Sequence, residues 1–74
     1  MTAPLTADAL DLVRAAARKQ ITTRGREFLI DGVEVDVYVR QQIADLIVDG
    51  WLYPQDLNAH RLVLPTDKAE QVLP

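Results

Sequence analysis

The chain has no cysteine and no serine, and only one histidine. Without cysteine there is no disulfide, no thiolate zinc site and no thiol nucleophile. Without serine, the most familiar hydroxyl nucleophile of acyl transfer is missing as well. A lone histidine supplies too few nitrogen ligands for a structural zinc site. Gly-rich phosphate loops, nucleotide fingerprints and paired nucleophile–base motifs are also absent. Catalysis is therefore not expected, and neither is a cofactor. Apolar runs never exceed a few residues, so no membrane span and no membrane partner are expected. Met1 is followed by Thr-Ala-Pro-Leu-Thr-Ala-Asp, which has neither a basic nor an apolar region, so no secretory signal is expected. Together these absences point to the cytoplasm. A basic excess is missing too: 8 Lys and Arg stand against 11 Asp and Glu, a net charge of −3. Compact nucleic-acid binders usually carry such an excess, because phosphate contacts supply much of their affinity.

What is present suits one small folded domain covering residues 1–74. Apolar residues make up 49% and charged residues 26% of the 74, which is too apolar and too evenly charged for disorder. Charge is unevenly spread. Arg18, Lys19, Arg24 and Arg26 supply half of the basic residues, whereas Asp31, Glu34, Asp36, Asp45 and Asp49 crowd the segments that follow.

Periodicity predicts a first helix over Ala7 to Lys19, N-capped by Thr6, with Asp8 near the positive end of its dipole. Ile21-Thr22-Thr23 turns to β-branched residues, and Arg24-Gly25-Arg26 reads as a loop. Asp31-Gly32, between Glu27–Ile30 and Val33–Val35, is a strong hairpin signal. It places Phe28, Ile30, Val33 and Val35 on one face, and Glu27, Leu29 and Glu34 on the other. Asp36 caps a second helix over Val37 to Asp49, with Val39, Ile43, Leu46 and Ile47 as its apolar stripe and Gly50 as its C′ residue. Trp51 to Tyr53 reads as a short strand, Pro54 to Ala59 as a turn and His60 to Leu64 as the returning strand. Thr66 caps a last helix over Asp67 to Leu73. Frayed ends are expected at Met1 to Pro4 and at Pro74. The predicted fold is α+β, in the order helix, β-hairpin, helix, β-hairpin, short helix. The expected core comprises Leu12, Val13 and Ala16 of the first helix, then Phe28, Ile30 and Val35 of the hairpin. Val39, Ile43, Leu46 and Ile47 join it from the second helix, with Trp51, Leu62 and Leu64 from the second hairpin.

The stretch Ile43 to Leu73 resembles the C-terminal part of winged helix-turn-helix proteins, including MarR-like and PadR-like regulators. Three features carry the resemblance. A helix ends in Asp49-Gly50-Trp51-Leu52, a two-stranded wing follows, and Leu64-Pro65-Thr66-Asp67-Lys68-Ala69 opens the helix after the wing. The middle of the chain departs from that pattern, because a hairpin stands where such proteins place a helix before the recognition helix. The resemblance implies a small winged-helix-like domain that binds double-stranded DNA and is associated with transcription, in the manner of a phage or mobile-element accessory.

In that reading the helix Val37–Asp49 enters the major groove, and Tyr38, Arg40, Gln41 and Gln42 meet base edges. Arg24, Arg26 and Arg61 would hold phosphates, since guanidinium groups match phosphate oxygens with two parallel hydrogen bonds. A second reading remains open: a protein–protein interaction module on the same scaffold, with no DNA binding. The acidic balance favours it. One copy would contact few base pairs, so a DNA-binding form is expected to be a homodimer, joined through the outer face of the first helix and the last helix.

Overall fold

A computed structural model describes residues 5–57 and 60–73, without the side chains of Asp56, Leu57 and His60. The fold is α+β in the expected element order. Helix α1 spans Ala7–Ala17. The Thr6 hydroxyl accepts from the Ala9 amide at 3.1 Å, which satisfies one donor that the helix start leaves open. The helix ends in a Schellman turn: the Lys19 and Gln20 amides donate to the Ala16 and Ala15 carbonyls at 2.9 and 3.0 Å. That turn needs a left-handed residue, and Lys19 adopts it at φ 61°.

Strands β1 (Ile21–Arg24), β2 (Glu27–Ile30) and β3 (Val33–Glu34) form an antiparallel meander. Asp31 and Gly32 have φ of 54° and 81°, the pair of left-handed residues that a type I′ hairpin turn requires. Arg24-Gly25-Arg26 is not a loop throughout. Arg24 closes β1 opposite Glu27, and only Gly25 and Arg26 turn the chain. The β-branched run Ile21-Thr22-Thr23 carries the strand that far.

Helix α2 spans Val37–Val48. The Asp36 carboxylate accepts from the Val39 amide at 2.8 Å. Gly50, at φ 83°, ends the helix in a second Schellman turn, with the Trp51 amide donating to the Leu46 carbonyl at 2.8 Å. Strands β4 (Leu52–Leu57) and β5 (His60–Pro65) follow. The expected turn over Pro54 to Ala59 is corrected by this register, since Pro54 pairs with Val63 inside the ladder. Proline is tolerated there because β4 is an edge strand, where its missing amide need cost no ladder bond. Asn58 and Ala59 lie outside the described residues, as do the ends expected to fray.

The two hairpins are parts of one five-stranded sheet, in the order β3-β2-β1-β5-β4. The join is between β1 and β5, with Thr22 opposite Leu62 and Thr23 opposite Arg61. Helix α1 packs on β5, α2 packs on β4, and the two helices touch. Between them lie Leu12, Val13, Ala16, Ile43, Leu46 and Trp51, all expected in the core. Phe28, Ile30, Val35, Val39 and Ile47 pack against its edge. Two expectations fail. Leu62 and Leu64 are outside the core cluster, and Val63 is fully buried in their place. An unbroken Leu-Val-Leu run carries no alternation, and a shift of one residue exchanges the faces of a strand. Ile21, Leu52 and Ala69 are further core residues that the pattern did not single out.

Helix α3 covers Asp67–Glu70, three residues fewer than expected. It is locked to the end of α2. The Thr66 hydroxyl donates to the Gly50 carbonyl at 2.7 Å and accepts from the Ala69 amide at 3.3 Å. The Thr66 amide donates to the Trp51 carbonyl at 3.0 Å. The Lys68 ammonium reaches the Asp49 carbonyl at 3.1 Å and stands 4.1 Å from the centre of the Trp51 ring. Ala69 is buried, and Leu73 packs against the core. This end of the chain is thus structural, and removing Lys68 to Pro74 would act on folding first.

The two helix ends form a natural pair for a stability test. No atom lies within 4 Å of a Cβ placed at Gly50, so Gly50→Ala meets only the backbone penalty, about 1–2 kcal/mol, less the ~0.5–1 kcal/mol of chain entropy that alanine saves. Lys19→Gly relieves the same penalty and stabilises by about 0.5–1 kcal/mol, after glycine's extra chain entropy. Thermal unfolding should show shifts of opposite sign, about 4–8 °C per kcal/mol.

Candidate interaction surfaces

The outward stripe of α2 follows from its burial pattern. Ile43 and Leu46 point into the core, which leaves Val37, Tyr38, Gln41, Asp45 and Val48 exposed along the opposite side. Tyr38 is 69% exposed and Val48 83%. This stripe contains no lysine or arginine. Its two central polar residues hold each other, the Gln41 amide donating to the Asp45 carboxylate at 3.0 Å. Arg40 is the only cation within the helix, and it is drawn sideways to Glu27 at 3.8 Å. Gln42 is half-buried. Of the four expected base readers, Tyr38 and Gln41 therefore share the exposed stripe, while Arg40 and Gln42 sit on its flank.

The three arginines expected to hold phosphates gather at one end of the sheet. Arg24 leads into the β1–β2 turn, Arg26 is part of it, and Arg61 lies across from Thr23 beside it. Arg26 and Arg61 line a common cleft of about 160 Å³, whose floor includes Phe28, Ile47 and Pro54 and whose rim includes Glu27. Strand alternation places Arg24 on the other face of the sheet from Arg61. Sequence reasoning did not anticipate this cleft. It depends on the β1–β5 pairing, which no local motif announces. Among the described residues, no cluster of His, Cys, Asp or Glu could hold a metal ion. No described helix is long and apolar enough to cross a membrane.

Carboxylates border these cations. Glu27 and Glu34 meet at the β2–β3 edge, with Arg40 nearby. A hydrogen bond between the two carboxyl groups, reinforced by their mutual repulsion when both are charged, holds Glu34 above the ordinary carboxylate value; Arg40 opposes this only in part. Comparison with known proteins found no matching family model, no matching curated protein and no matching solved structure.

A pH dependence follows. The native state holds the Glu34 proton more tightly than the unfolded chain does. Its contribution to stability is complete below the ordinary carboxylate value and is lost as pH rises through the raised one. Glu34→Gln keeps the hydrogen bond to Glu27 without the repulsion. In urea titrations read by Trp51 fluorescence, the variant should have the higher midpoint at neutral pH. The gap should close as the pH falls into the carboxylate range.

Proposed function

We propose that this chain is a small protein-interaction module, cytoplasmic and winged-helix-like in its second half, which docks a basic partner on the outward stripe of α2. One observation carries the reading: the helix face that would have to approach DNA has exposed carboxylates and no cation of its own. A phosphate backbone would be repelled there, because Asp45 lies within the stripe, Asp36 and Asp49 stand at its ends, and the whole chain has a net charge of −3. Tyr38, Val37 and Val48 add the exposed apolar and aromatic area that a protein interface uses as anchors. A lysine- or arginine-bearing helix or strand suits such a face.

A second reading, DNA binding associated with transcription, draws on the gathering of Arg24, Arg26 and Arg61 at one end of the sheet. In it the sheet end holds phosphates while Tyr38 and Gln41 read bases.

Titration of a fluorescent random-sequence duplex at about 50 mM salt separates the two, because phosphate-driven binding weakens steeply with salt. The interaction reading predicts no saturable binding to the duplex. It also predicts that a basic helical peptide binds the wild type and fails to bind Tyr38→Lys, which removes the aromatic anchor and adds a like charge. Salt-sensitive duplex binding that Arg24→Ala, Arg26→Ala and Arg61→Ala abolish would overturn it in favour of DNA.

A further inference from the structure

The second face of the sheet carries an unexpected composition. Both long helices pack on the face that bears Ile21, Leu52 and Val63. Register places Glu34, Leu29, Thr22, Leu62 and Gln55 in one row across all five strands of the other face. Leu64 and Tyr53 stand as a pair beside that row, and Arg24 stands two residues along β1 from Thr22, with Glu27 of β2 directly opposite it on the same face. An antiparallel sheet with one solvated face normally turns polar residues outward. Here Leu29, Leu62 and Leu64 occupy those positions, belong to no core cluster and are covered only in part, while Tyr53 is 43% exposed.

We propose that this open sheet face pairs two copies of the chain face to face about a two-fold axis. The idea is independent of the docking reading of α2, which uses another surface. Size is the first argument. Five strands about 4.8 Å apart, with three rows of outward side chains, make a footprint of about 24 × 20 Å. Two such faces bury about 1,000 Å² in total, the lower end of specific interfaces, so the dimer is weak and reversible. Charge is the second argument. Glu34 lies two strands from Thr22, about 10 Å across the sheet, and Arg24 lies about 7 Å from Thr22 along it. A diagonal two-fold exchanges these directions, as in orthogonal sheet packing. Glu34 of each copy then approaches Arg24 of the other, twice over, and shares that cation with the Glu27 that faces it in its own chain, around the apolar centre of Leu29, Leu62 and Leu64. Of the two apolar residues at the end of the last helix, Leu73 is packed in its own chain and Val72 is 48% exposed, so the expected contact through α1 and that helix has less apolar content than the sheet face.

Sedimentation velocity up to about 300 µM tests this, a range suited to a small interface. The sedimentation coefficient should rise with concentration. Leu62→Lys should hold the chain monomeric while leaving Trp51 fluorescence unchanged, and Leu29→Lys serves the same purpose if Leu62→Lys does not fold. Arg24→Glu should weaken association about tenfold, and the double variant Arg24→Glu with Glu34→Arg should restore it. A strict monomer throughout the range overturns the proposal. So does a dimer that the folded lysine variant leaves intact, or a double variant no better than Arg24→Glu.

Discussion

Everything after α2 depends on how that helix stops. Gly50 takes a left-handed conformation that side chains resist, and the turn it makes delivers Trp51 onto the Leu46 carbonyl. Trp51 then becomes a joint. Its ring is buried beside the core, its carbonyl receives the Thr66 amide, and Lys68 lies across its face. The carbonyls of Asp49 and Gly50 would otherwise be orphaned at the helix end, and Lys68 and Thr66 satisfy both. A helix of four residues has no stability of its own, because nucleation costs more than one turn returns. Helix α3 exists because Thr66 caps it and the joint holds it.

Local interactions were the legible part of this fold. Thr6, Asp36 and Thr66 each cap a helix three residues ahead, and such a reach is visible in a linear string. Asp31-Gly32 and Gly50 likewise announce their own backbone angles. Non-local choices were not legible. Nothing near Thr22 indicates that Leu62 will lie beside it, although that pairing turns two hairpins into one sheet. The Leu62-Val63-Leu64 run is apolar throughout, so only the helices above the sheet decide that Val63 faces inward. Pro54 reads as a breaker until β4 is known to be an edge. The candidate surfaces divide in the same way. Exposure of Tyr38 and Gln41 follows from helical period, whereas the capture of Arg40 by Glu27 and the meeting of Arg26 with Arg61 require the folded sheet.

Charge separates the surfaces by role. Cations gather at the β1–β2 turn, and carboxylates and apolar groups take the outward side of α2. The open sheet face is apolar in its centre and carries Arg24, Glu27 and Glu34 towards its margins.

The Trp51 joint holds α2, β4 and α3 together, and native-state hydrogen exchange tests this directly. Amides of Trp51 and Thr66 donate across the joint, while the amide of Val63 reports the central sheet. If the joint binds α2, β4 and α3 into one cooperative unit, the Trp51 and Thr66 amides should exchange only with global unfolding, with the same free energy as Val63. Exchange of Thr66 through a local opening, at a free energy well below that of Val63, would contradict it.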